Sequence, residues 1–417
     1  MRRWKAILVA VVVFGSIATS ARLPVLASTV PLCTGPVGNA FFDPPATLPP
    51  GGPGTLVSCR ETTVDLGANA APHRAFAMIY VSTDVTGARV ATSGMLLIPT
   101  APWTGTGSRP VVGFAPGTHG MATKCAVSRQ LIAGTEPQAD SIVNALGAGF
   151  AIAVADYEGY LNGQTHTYMV GPALGHAVLD GVRASFQIAQ AGLSPTTKVG
   201  LWGYSEGGAG STWAAELAGS YAPTLDVVGL AAGGVPGDLK VTARLLNGNL
   251  AAAFMLGASL GFATAFPALP FDQLLNDAGR AAKQQATQLC LFDAVAKFAF
   301  TSVADFTTDK LSLDRFFALV GTDGISWSQR LDQAKLGVDL RGANKVTFPV
   351  FMFRSIVDEA VPTQTEDDTR HEFCAAGLPV QTATYLGEHV IGDFMSQTDV
   401  ISFLADRFAG KAPRNDC

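Results

Sequence analysis

Charge is scarce in this chain. Only 15% of its 417 residues are Asp, Glu, Lys or Arg, and they leave a net charge of −5. Without a basic excess there is no electrostatic footprint for nucleic acid, so no nucleic-acid partner is expected. Cysteine is sparse as well: Cys33, Cys59, Cys125, Cys290, Cys374 and Cys417 are the full set, and no Cys-x-x-Cys pair occurs. Zinc is therefore disfavoured, and neither a metal site nor a cofactor is expected. The apolar run at the amino terminus, Ala6 to Ala18, is too short to span a bilayer.

What is present points outward from the cell. Arg2, Arg3 and Lys5 precede that run and small residues follow it, the pattern of an export signal over residues 1–27 with cleavage after Ala21 or Ala27. The alternative is an uncleaved anchor, so the expected location is secreted, with attachment to the cell surface left open. Six cysteines downstream of such a signal suggest three disulfides, although 15 pairings are allowed. A 48% hydrophobic content supports a large core and excludes general disorder. Oligomeric state is not legible.

Phe41 to Thr55, FFDPPATLPPGGPGT, reads as an extended arm rather than a core element. Ala75–Val81 and Val90–Pro99 read as an antiparallel strand pair. Short apolar runs at Val111–Ala115, Phe150–Ala155, Lys198–Trp202 and Val227–Ala231 then alternate with helical patterns at Ser141–Leu146, Ala173–Ala191 and Glu206–Tyr221. Strands alternating with helices predict an α/β fold with a mostly parallel sheet covered on both faces. The alternation breaks over about Asp238 to Ala343, which reads mostly helical. It resumes with a strand at Val346–Phe353, a helix near Thr365–Ala376, a strand at Gln381–Leu386 and a helix near Val400–Phe408. The expected organisation is a sheet core over 28–237 and 344–417, with 238–343 inserted as a helical cap or lid. The uncharged run Leu250–Pro270 reads as a buried pair of cap helices; a transmembrane span and a mobile lid are the alternatives.

Gly-x-Ser-x-Gly occurs twice, around Ser205 and around Ser259. In a chain with 45 glycines the pattern is expected by accident in roughly one case in three, so context must choose. Ser205 follows the strand Lys198–Trp202 and precedes a helix, the strand-to-helix turn that exposes a nucleophilic hydroxyl. Ser259 has no preceding strand and reads as packed on a helix. A serine nucleophile needs a base and an orienting acid, in the order Ser, Asp or Glu, His in such a turn-and-sheet arrangement. His389, in the loop GEHVIGD after a strand, suits the base better than His371 in the charged segment EDDTRHEF. Asp358, in RSIVDEAVP after a strand, suits the acid, with Glu359 as its rival. The oxyanion donors are expected to be the backbone N–H groups of Glu206 and Thr118. His119, next to Thr118, reads equally as a site residue or an ordinary loop histidine.

The segments FFDPP, PGTHGMATKCAVS, ADYEGYLNGQTHTYMVG, GYSEGG, DEAVP and GEHVIGDF together resemble the secretory lipase family of α/β-hydrolases, over nearly all of the chain after the signal. The resemblance implies the same Ser205–Asp358–His389 triad, a helical lid and acyl-ester substrates, often triacylglycerols. The triad itself predicts an acyl-enzyme intermediate, and the mobile-lid reading of Leu250–Pro270 predicts an apolar face that meets lipid at a lipid–water interface. The resemblance also implies a Cys125–Cys290 disulfide, leaving Cys33–Cys59 and Cys374–Cys417 by default. Two departures stand out: Pro116-Gly117 where related hydrolases often have His-Gly, and Glu206 where relatives tend to carry Gln or Gly. A carboxylate beside a developing oxyanion would repel it, so the Glu206 side chain should point away or stay protonated, and the expectation adopted is that it points away. The alternatives in other classes are an acyltransferase or peptidase on the same triad, and a non-catalytic binding protein.

Overall fold

A computed structural model describes residues 33–417. The expected export signal, residues 1–27, lies outside the described residues. Nine strands form one sheet: β1 (Leu56–Thr62), β2 (His73–Thr83), β3 (Arg89–Pro99), β4 (Val111–Ala115), β5 (Ala151–Tyr157), β6 (Lys198–Tyr204), β7 (Asp226–Gly233), β8 (Val350–Ser355) and β9 (Val380–Tyr385). Their spatial order is β1-β2-β3-β5-β4-β6-β7-β8-β9. The β1–β2, β2–β3 and β3–β5 pairs are antiparallel, and every pair from β5–β4 onward is parallel. The inner strands β4 and β5 are buried along their whole length, which is why they read as continuous apolar runs rather than alternating ones.

Helices Gly171–Ser185 and Glu206–Tyr221 pack against the sheet, and residues of the long helix His389–Phe408 lie in a second apolar layer with Phe351, Phe353 and Trp202. Helices Leu239–Leu246, Ala252–Ala265, Asp277–Ala286, Leu291–Phe298 and shorter turns down to Trp327–Gln333 occupy the stretch between β7 and β8. The run Leu250–Pro270 holds a single helix of 14 residues followed by a turn, rather than a helix pair. At 1.5 Å per residue that helix is about 21 Å long, short of a ~30 Å hydrocarbon layer. Among the described residues no helix is long and apolar enough to cross a membrane.

Four local expectations change. Strand β1 was not expected; its half-exposed residues blur any strict alternation. In the arm, Phe41 and Phe42 form part of a 3-10 turn and are buried, so the arm anchors itself in the core. The helix expected over Ala173–Ala191 ends at Ser185. The last helix begins at His389, not near Val400, because the Glu388 side chain caps it by accepting the Val390 and Ile391 N–H groups.

The first and the last of the described residues lie against the sheet's outer strands. Cys33 is disulfide-bonded to Cys59 on β1, and the Gly35 N–H donates to the Cys59 carbonyl at 3.0 Å. At the other margin Cys374 is bonded to Cys417, and the Asp416 N–H donates to the Val380 carbonyl of β9 at 2.7 Å. The third disulfide joins Cys125 to Cys290, across 165 residues of sequence. All three pairs are those the resemblance left in place.

Candidate active site

Strand β6 ends at Tyr204 and a helix starts at Glu206, so Ser205 must turn the chain on its own. It does so at φ 62°, ψ −122°, a conformation that costs a non-glycine residue about 1–3 kcal/mol. The surrounding glycines make room for it. A methyl group at Gly203 would strike the Gly207 carbonyl, and one at Gly207 would overlap the Ala115 carbonyl at the end of β4. The turn is held to the neighbouring strand by the Ser205 N–H, which donates to the Gly233 carbonyl at 3.0 Å.

The Ser205 hydroxyl meets His389, whose Nε2 is 2.9 Å from Oγ. His389 Nδ1 is 2.7 Å from Asp358 Oδ2. A carboxylate only accepts, so Nδ1 carries the proton and the Nε2 lone pair faces the serine O–H. The other Asp358 oxygen accepts from the Ala360 and Val361 N–H groups at 3.0 and 2.7 Å, which fixes the carboxylate in the loop after β8. Glu359, the rival acid, instead accepts from the His389 backbone N–H at 3.1 Å. It pins the start of the helix and does not reach the imidazole. His371 is exposed on helix Thr363–Ala375, and Ser259 bonds its own helix through the Met255 carbonyl at 2.9 Å.

Around the serine the polar groups are arranged asymmetrically. The Glu206 side chain turns back into the core and meets His166 Nε2 at 2.8 Å, so it points away as expected, into a partner the sequence had not suggested. His166 stacks on Tyr157 and Tyr160. Burial pushes the Glu206 carboxyl above the usual carboxylate range, against the pull of His166. The Thr118 hydroxyl bonds the Tyr168 hydroxyl at 2.7 Å. His119 is buried, with Nδ1 at 2.7 Å from the Gly117 carbonyl and Nε2 at 2.8 Å from Glu136. Burial opposes its charged form, but the Glu136 charge and hydrogen bond prevail and push its pKa up to about 9.

Ser205 lines a cleft of about 690 Å³, its open mouth included. The walls are apolar: Leu246, Met255, Phe262, Phe316 and Trp327, all from the helical stretch between β7 and β8. A serine hydroxyl within hydrogen-bond reach of an imidazole, at the wall of an apolar cleft, is an arrangement that can serve attack on the carbonyl of an apolar substrate.

A nine-stranded, mostly parallel sheet with a serine at a strand-to-helix elbow defines an α/β-hydrolase. The secretory lipase family model matches residues 129–416, and the chain belongs to that family; it is a hydrolase of the lipase and esterase class. The chain is 31% identical, over 90% of its length and 83% of the relative's, to "Probable inactive lipase MT1628" of Mycobacterium tuberculosis. It is 28% identical to "Secreted triacylglycerol lipase LIP7" of Malassezia globosa, covering 91% of this chain and 81% of that one. Among solved structures, Candida antarctica lipase A in its closed state matches with a TM-score of 0.77 at 26% identity, covering 90% of this chain and 87% of that one. The esterase LipA of Xanthomonas oryzae shares the fold at 17% identity, with a TM-score of 0.67.

Proposed function

We propose that this protein is an exported serine hydrolase of acyl esters, triacylglycerols among them, acting through Ser205, His389 and Asp358. His389 takes the Ser205 proton as the oxygen attacks the ester carbonyl, and Asp358 holds the imidazole and stabilises its charged form. The backbone N–H groups of Glu206 and Thr118 receive the oxyanion; neither has an acceptor among the described residues. The alcohol leaves with the proton, and water, activated by the same imidazole, releases the acid from Ser205. The acyl chain lies in the apolar cleft, and residues 238–343 act as the cap over it. The amino-terminal signal pattern and the word "secreted" in the names of fungal relatives support export, and the triacylglycerol named there supports a lipid substrate.

The observation that carries this reading is the unbroken Oγ–imidazole–carboxylate chain, at 2.9 and 2.7 Å, opening on that cleft. A non-catalytic reading has one point in its favour, the word "inactive" in the name of the Mycobacterium relative. Treatment with a fluorophosphonate probe separates the two. Covalent labelling of Ser205, together with hydrolysis of p-nitrophenyl esters, supports the enzyme. An unlabelled serine and no turnover would establish the binding protein instead. Product analysis with esters, amides and competing alcohols distinguishes hydrolase from peptidase and acyltransferase.

A further inference from the structure

The Thr118 N–H and the Gly117 carbonyl belong to one peptide unit. A trans peptide points these two groups in opposite directions, so whatever grips the carbonyl also aims the N–H. His119 grips it. The Gly117 oxygen can only accept, so His119 Nδ1 donates to it at 2.7 Å. The far side of the ring is braced by the Glu136 carboxylate at 2.8 Å, inside the protein.

The preceding peptide is held at both ends too. The Pro116 carbonyl accepts from the Tyr157 hydroxyl at 2.8 Å, and the Gly117 N–H donates to Gln138 Oε1 at 2.7 Å. Gln138 is itself oriented by two further bonds. Its backbone N–H donates to Glu136 at 2.9 Å, and its Nε2 donates to Asp393 at 2.8 Å. Asp393 lies one turn beyond His389 on the same helix. The loop after β4 is thus joined by side chains to the helix that carries the base.

We infer that His119, Glu136 and Gln138 are positioning residues for ester hydrolysis, with Gln138–Asp393 as the link: they fix the Gly117–Thr118 peptide so that its N–H faces the oxyanion, in register with His389. This rests on the function proposed above. None of the three touches the reacting atoms. Their effect is on the placement of one donor whose loss typically costs ~10²–10³ in turnover.

Kinetics of the full-length secreted protein on a short p-nitrophenyl ester test the inference. Gln138→Leu removes both side-chain bonds at a half-buried position. It should lower kcat by roughly tenfold or more, leave KM within about threefold, and slow fluorophosphonate labelling of Ser205 by a similar factor. Gln138→Glu adds a signature that a merely structural role would not give. Below pH ~6 one carboxyl proton can bridge to Asp393 while the other oxygen still accepts from Gly117. As that proton leaves, two carboxylates face each other and the link breaks. The groups that also face Asp393 are the His389 imidazole and the Tyr204 phenol. They are present in both forms, so the ratio of variant to unaltered activity isolates the new pair. That ratio should fall about tenfold between pH 5 and pH 8. A flat ratio, or unaltered kcat in Gln138→Leu, overturns the inference while leaving the hydrolase reading intact. An unaltered protein that neither labels nor turns over overturns both.

Discussion

One proton lies between the Glu206 carboxyl and the His166 imidazole, 2.8 Å apart. His166 Nδ1 sits 2.9 Å from the Glu158 carbonyl, which only accepts, so Nδ1 must carry a hydrogen. Nε2 and the Glu206 oxygen then share a single proton, and the pair is neutral overall whichever atom holds it. An acidic residue beside the elbow serine can therefore coexist with a developing oxyanion.

Glu206→Gln should accordingly be mild. The amide N–H can donate to a neutral His166 Nε2, and no net charge is lost. The pH–rate profile should move by less than about one unit. Glu206→Ala, by contrast, leaves a buried Nε2 unpaired beside a void, and should cost about 2–4 kcal/mol in denaturant unfolding.

Ser205→Ala should reduce turnover by ~10⁴ or more while leaving the fold in place. It should also relieve little of the backbone strain, because alanine is no easier at φ 62° than serine. Near-normal ester hydrolysis by this variant would end the proposed mechanism. Circular dichroism and Tm serve as the folding control.

Stability should fall as pH rises from about 5 to 9. Burial pushes Glu216 and Glu366 up to about 8 each, partly opposed by N–H donors from Gly337 and Val235. Between the usual carboxylate range and that value, the folded chain holds protons that the unfolded chain has released. Unfolding then becomes easier with each step upward in pH. His119 acts in the same direction: its raised pKa of about 9 gives a contribution complete below about 6.5 and lost as pH climbs through 9. Tm should be several degrees higher at pH 5 than at pH 8, and the double variant Glu216→Gln, Glu366→Gln should flatten that slope.

Removing the Cys125–Cys290 bridge should affect both stability and rate. A closed loop of that size is worth about 5 kcal/mol on the chain-entropy model. The bridge also anchors the segment after His119, whose carbonyl accepts from the Leu291 N–H at 2.9 Å. Cys125→Ser with Cys290→Ser should lower the urea midpoint and, at a temperature where the variant is still folded, reduce kcat more than it raises KM.

Chain length should be controlled by the cap. Ala258 lines the cleft beside Met255 and Phe262. Ala258→Phe adds bulk where a hydrocarbon tail would lie. On a panel of p-nitrophenyl esters it should lower kcat/KM for long acyl chains at least about tenfold, and leave acetate and butyrate within about threefold.

The backbone of the site was legible because it is local. A strand, a lone serine flanked by glycines and a helix are contiguous, and Asp358 and His389 each follow a strand. The supporting groups were not legible, because their partners are remote: His119 and Glu136 are 17 residues apart, His166 and Glu206 40, and Gln138 and Asp393 255. A single histidine in a loop carries no mark of the carboxylate that will face it. The start of the last helix escaped for a different reason: Glu388 is an uncommon cap, so His389 read as loop where it is in fact the first helical residue.

The two terminal disulfides hem the sheet. Strands β1 and β9 are its selvedges: the segment beginning at Cys33 is bonded covalently to β1, while the last residues run along β9 by hydrogen bonds and are bonded covalently to Cys374 on the adjoining helix Thr363–Ala375. A bare strand margin is a template on which another molecule can pair. Thiol reductants should therefore do more than soften this protein: by freeing the tails they uncover both margins together, and the reduced molecules should associate edge to edge in solution even while Ser205 keeps its place.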